Sequence, residues 1–216
     1  MNYKLAEILS YFIGLGALIG LFKIRKIDQT YYPFILLLWV GLLNEIINTI
    51  VINAGYSNAI NDNIYGLLES LLITLVFYRM GVFDRYKNVF YYVLSGLLLL
   101  WIMINFVFFS IKQFSSYFNI IYSLYVVLLS INMINQLMLR ERKRLIISPM
   151  FLVSIAFIFF FTYKALIEIF WVYGLNASKN FRVEVYRIMT YINLTVNIIY
   201  AIAVLWMPRK REFMLP

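Results

Sequence analysis

Between Lys87 and Lys112 the chain runs through "NVFYYVLSGLLLLWIMINFVFFSI" without a single charge. Apolar stretches of about 18 to 25 residues recur along its whole length, which is what crosses a bilayer core as helix. A soluble domain would show apolar stripes at helical or strand period instead of apolar blocks. At 63% hydrophobic and 13% charged residues it would also lack the polar surface that solubility requires. The chain therefore reads as an all-α, polytopic membrane protein.

Segments at 5–22, 33–53, 63–80, 88–110, 116–139, 147–174 and 185–207 are predicted to span. Short loops join these seven, giving a single transmembrane domain over 1–216. Pro33, Pro149 and Pro208 fall at segment edges, where a missing backbone donor costs little. The first segment reads as a retained span and not as a cleaved signal peptide. Its apolar part is long for a signal sequence, and a basic cluster follows it as after a stop-transfer span.

Charge placement orients the spans. Lys23, Arg25 and Lys26 follow span one; Arg79, Arg85 and Lys87 follow span three. Arg140, Arg142, Lys143 and Arg144 follow span five; Arg209, Lys210 and Arg211 follow span seven. With seven spans these thirteen share one side, against Lys4, Lys112, Lys179, Arg182 and Arg187 on the other. The positive-inside bias then predicts an outside N-terminus and a cytoplasmic C-terminus in an inner (plasma) membrane. The net charge of +9 thus reports topology, not nucleic-acid binding.

Spans two and six each open with a proline, and counting from Pro33 and Pro149 gives Asn48 and Lys164 the same offset. Two parallel three-helix units joined by span four would do this, as in small sugar transporters. Coincidence accounts for one proline register and a charge pattern more economically.

Two absences narrow the chemistry. Without Cys there are no disulfides, thiolate nucleophiles, iron–sulfur clusters or Cys-type zinc sites. Without His the usual zinc and haem ligand and the usual general base near neutral pH are missing. No cofactor or metal is expected, and no catalytic motif surrounds the remaining carboxylates, Lys164 or hydroxyls, so an enzyme is disfavoured. A retinal pump would need a lysine within the seventh span, and that span has none between its ends.

Intramembrane ionisable residues are functional candidates by default. Lys164 and Glu168 sit one helical turn apart inside an otherwise apolar run. At ~1.5 Å per residue, Lys164 lies ~22 Å above Pro149, in the outer third of a ~30 Å core. Glu45 lies ~18 Å above Pro33, and Glu69 ~10 Å below Asp62. Asn193, ~9 Å below Arg187, belongs to the same outer half. Helical spacing puts Asn44 and Asn48 on one face, Asp62, Tyr65 and Glu69 on another, and Tyr186, Thr190, Asn193, Asn197 and Tyr200 in a stripe.

The functional reading is an outward polar pocket formed by Glu45, Glu69, Lys164, Glu168 and Asn193, with Asn48 and Tyr65 beside them. The alternative is that Asn, Thr and Tyr join helix to helix while Lys164 and Glu168 snorkel to the interface. Lys-then-Glu is the less favourable order for a helical pair. Lys164 is therefore expected to turn inward to a carboxylate on another helix, Glu45 or Glu69, with Glu168 marking the mouth. Tyr31, Tyr32, Tyr91, Tyr92 and Trp206 read as headgroup anchors. "FIFFF" at 157–161 reads as core or lipid-facing packing. Arg140, Arg142, Lys143 and Arg144 read as a topology signal touching the anionic inner leaflet or a cytoplasmic partner.

In overall layout, "NEIIN" on span two, "NIYGLLESLL" on span three and "INLTVNIIYA" on span seven resemble uncharacterised small bacterial seven-helix membrane proteins associated with sensor histidine kinases. The resemblance implies a sensor or signalling-accessory role without naming a ligand. An ion- or proton-coupled channel or transporter, or a helical subunit of a larger complex, stays open. So does homo-oligomerisation.

Overall fold

The computed structural model describes residues 3–140, 145–173 and 178–210. The helices are α1 (Tyr3–Ser10), α2 (Ile13–Lys23), α3 (Tyr32–Asn53) and α4 (Ala59–Arg79). They are followed by α5 (Lys87–Ile102), α6 (Ser116–Arg140), α7 (Pro149–Val172) and α8 (Lys179–Trp206). Six of the helical stretches are long and apolar enough to cross a membrane. Helices are what a bilayer demands of such sequence, because they satisfy every backbone group within the segment. The described residues form no sheet, only an isolated bridge between Ile27 and Arg209.

The predicted first span is divided. Around Tyr11 and Phe12 the backbone tightens to i→i−3 bonds, Phe12 N–H to the Leu9 carbonyl at 3.3 Å and Gly14 N–H to that of Tyr11 at 2.9 Å. The Ser10 hydroxyl donates back to the Glu7 carbonyl at 2.9 Å, the kind of competing bond that bends helices. α8 begins six residues before the predicted start, because Ser178 caps it by accepting from the Phe181 N–H. α5 ends in a π-helical turn at Met103–Phe108.

α2, α3, α4, α6, α7 and α8 pack in that order and close into a ring, with α1 continuing α2 along α8. α5 lies outside it, against α4. Glycines let α2 in: a Cβ at Gly16 would lie 3.0 Å from Leu38 and 3.6 Å from the Ala201 backbone nitrogen. One at Gly20 would lie 3.0 Å from Ile35, so small residues here permit close helix approach.

One end of the bundle is basic. Lys23 donates to the Leu205 carbonyl at 2.6 Å, capping α8 with the end of α2. Lys210 N–H reaches the Lys26 carbonyl at 2.8 Å, so the segments after α2 and α8 lie side by side. In the half adjoining this end, Phe157 packs edge-on against Phe34, Phe77, Phe161 and Tyr200 with centroids 5.8 to 6.3 Å apart. All five rings are buried, and they fill the ring's centre. Tyr91, Tyr92 and Trp206 are exposed like headgroup anchors, but Tyr31 is buried in the core.

Candidate functional site: a polar pocket above an aromatic plug

α3 and α7 finish, and α4, α6 and α8 begin, at the end opposite the basic one. A cavity of about 540 Å³ opens among them. Helix starts and finishes carry the polar residues that the apolar spans exclude, so this lining is acidic and amide-rich. Glu45, Asp62 and Glu168 contribute carboxylates, and Lys164 is the cation among the described lining residues.

The floor is a cluster drawn from three helices. Lys164 Nζ on α7 lies 2.9 Å from Glu69 Oε2 on α4, with side chains 18% and 7% exposed. The Tyr65 hydroxyl donates to Glu69 Oε1 at 2.9 Å. The Tyr122 hydroxyl from α6 donates to Glu69 Oε2 and accepts from Lys164. The ammonium also stands 5.7 Å from the Phe161 ring centroid, within cation–π range. A buried charge is tolerated only when paired and fully hydrogen-bonded, and this arrangement supplies both for Glu69.

The walls are side-chain networks. Asn61 donates to Asn44 Oδ1 at 2.7 Å and Asn48 Oδ1 at 2.8 Å, while Asn48 and Asn58 each donate to Asp62 at 2.7 Å. The bonds of Asn44 and Asn48 tie α3 to α4, and that of Asn58 closes the first turn of α4. Across the cavity Asn119 on α6 donates to Glu168 on α7 at 2.8 Å. At the rim the Trp171 indole donates to the Tyr186 hydroxyl at 2.6 Å, joining α7 to α8. A smaller cavity of about 90 Å³ lies deeper and shares Glu45, Tyr65, Phe160, Lys164 and Asn193 with the first.

All seven predicted pocket residues thus meet. Glu45, Asn48, Tyr65, Lys164, Glu168 and Asn193 line the main cavity, and Glu69 lines the deeper one. Asn48 also bonds helix to helix, so the two readings of it coexist. Tyr122, Asn119, Asp62 and Trp171 complete the site without having been singled out for it. Depth and spacing were available for the first three, whereas Trp171 looks in sequence like any interfacial aromatic. Of the basic cluster, Arg142, Lys143 and Arg144 lie outside the described residues, and Arg140 is described only as the end of α6.

No family model, curated protein or solved structure matches the chain. Among the described residues no group of three or more carboxylates is placed to hold a metal ion. The arrangement can hold a small polar molecule between carboxylates and aromatic rings, with Lys164 held back by Glu69.

Proposed function

We propose that this chain is a multi-pass inner-membrane protein of receptor-like or signalling-accessory type, holding a small polar ligand in the pocket. It crosses the membrane seven times, with its N-terminus outside and its C-terminus in the cytoplasm. The observation that carries the reading is the asymmetry of the bundle. A cavity of about 540 Å³ lies at the end poor in basic residues, and packed rings around Phe157 close the other half. The positive-inside bias turns the basic end to the cytoplasm and the pocket outward. α1 and α2 together supply ~28 Å of helix at ~1.5 Å per residue, close to the ~30 Å core that a seventh crossing needs. A blind pocket suits binding better than conduction, which needs a polar path on both sides. The basic face would meet a cytoplasmic partner of the sensor-kinase type.

One observation favours a second reading, an ion- or proton-coupled channel or transporter. The deeper cavity continues past the Glu69–Lys164 pair, and intramembrane carboxylates carry protons in many transporters. Reconstitution into liposomes with a proton- and ion-flux assay separates the two. The wild type is expected to pass no more than empty liposomes. Flux abolished by Glu45→Gln or Glu69→Gln would replace the receptor reading with transport. A reporter fused at Tyr56 is expected to read outside, and a cytoplasmic signal there overturns the orientation.

A further inference from the structure

On the outer surface of the bundle, a further concavity of about 420 Å³ runs between α4 and α5. It is lined by Leu68, Leu71, Leu72 and Leu75 on one side and by Phe90, Leu94, Ser95 and Leu98 on the other. It is most open at the end away from the basic loop, with Leu68 44% and Leu98 43% exposed, while Leu72, Leu75 and Leu94 are half-buried and Phe90 closes the other end. The small Ser95 side chain lines its middle and is exposed. Among the described residues α5 packs chiefly on α4 and lightly on α6.

The mouth of this groove is charged. Leu75 is one helical turn from Arg79, and Phe90 follows Lys87 by less than a turn. Arg85 lies between them in the chain, with its guanidinium 5.2 Å from the Tyr86 ring centroid. Arg79, Arg85 and Lys87 are all exposed. The acid of this loop, Asp84, folds back against Gly81, whose positive φ of 86° makes the turn. The groove follows α4 for ~11 Å at ~1.5 Å per residue, about a third of a ~30 Å core. A cation cluster at the headgroup level above an apolar furrow of that depth is complementary to one kind of molecule, an anionic lipid with its chain lying inward.

We propose that the α4–α5 groove is a binding site for one anionic phospholipid, its phosphate held by Arg79, Arg85 and Lys87 and an acyl chain lying along Leu72, Leu75, Leu94 and Ser95. The proposal needs only that the protein sits in a bilayer. It does not rest on the pocket's function, and failure of either leaves the other standing.

Native mass spectrometry of the full chain tests it, with phosphatidylglycerol and phosphatidylcholine of the same chains offered in equal amount. The expected result is one retained phosphatidylglycerol and little retained phosphatidylcholine. Arg79→Gln/Arg85→Gln/Lys87→Gln should weaken retention on the order of 100-fold, at about tenfold or less per cation removed. Arg79→Lys/Arg85→Lys should restore the preference. Ser95→Trp, which fills the exposed furrow and leaves the charges, should abolish the adduct while circular dichroism stays unchanged. Inorganic phosphate should not displace it. Equal retention of both lipids, survival of the adduct in the Gln variant or in Ser95→Trp, or displacement by phosphate would each overturn the site.

Discussion

Glu69 and Lys164 are 95 residues apart in the chain and 2.9 Å apart in the fold. Their contact pins α4 to α7 across the ring, between two helices that are not sequence neighbours. Tyr122 bonds to both from α6, so one cluster fixes the rotation of three helices.

Breaking that pair should be costly. Lys164→Met leaves Glu69 buried with tyrosine donors alone, and Glu69→Gln leaves the ammonium without its counter-ion. Each should lower stability by about 3 kcal/mol, the lower end for a buried pair, because Lys164 keeps some exposure. The double variant should lose clearly less than the sum. Unfolding in mixed detergent micelles gives the cycle, and additive losses would mean the two charges do not stabilise one another.

The close packing of α2 makes an independent prediction. Gly16→Leu and Gly20→Leu force side chains against Leu38, Ala201 and Ile35 and should each cost about 1–3 kcal/mol by overpacking. Gly96→Leu faces open space and should change thermal stability by less than about 0.5 kcal/mol. Equal behaviour of the three would contradict the packing described for α2.

The aromatic plug should act as a barrier. Phe157→Ala removes the ring that Phe34, Phe77, Phe161 and Tyr200 pack against. Phe→Ala in a soluble core costs about 3–5 kcal/mol. Lipid is as apolar as the helix face, so transfer adds little here and the loss should be nearer 2 kcal/mol. Proteoliposomes of the variant should leak protons faster than wild type. An unchanged leak would locate the seal elsewhere.

Asn63 should hold the loop between α5 and α6. Its amide donates to the Ile111 carbonyl at 2.9 Å and the Gln113 carbonyl at 2.6 Å, and accepts from the Ser115 N–H at 3.0 Å. Asn63→Ala leaves the buried Ser115 N–H without its acceptor, worth about 1–3 kcal/mol. Hydrogen exchange at Ser115 should then rise roughly 10- to 100-fold. Exchange confined to its wild-type rate would show that the loop is held by other contacts, such as Ser115 to Asn105.

Several elements were legible in the sequence because the bilayer imposes a local rule. α3, α6 and α7 begin and end within about two residues of their predicted limits, since a run of apolar residues must be helical throughout. Depth was legible too, and it brought Glu45, Lys164 and Asn193 to one level. The exceptions have physical causes. The break near Tyr11 comes from hydroxyl back-bonding and glycine packing, which leave hydropathy untouched. The early start of α8 is a capping effect in a charged stretch that hydropathy alone leaves outside the span.

The sequence by itself determined that this protein is helical, roughly where its helices lie, and that its polar residues gather in one half of the bundle. All three follow from one-dimensional spacing and the absence of water in the bilayer core. Only the tertiary structure decided that Lys164 chooses Glu69 over Glu45, that Tyr122 joins them, that Phe157 packs against four other rings, and that α5 stands outside the ring. Those outcomes depend on which helices are neighbours and how each is rotated about its axis. Spacing along a chain gives a residue its depth, but the packing of the whole ring gives it a direction.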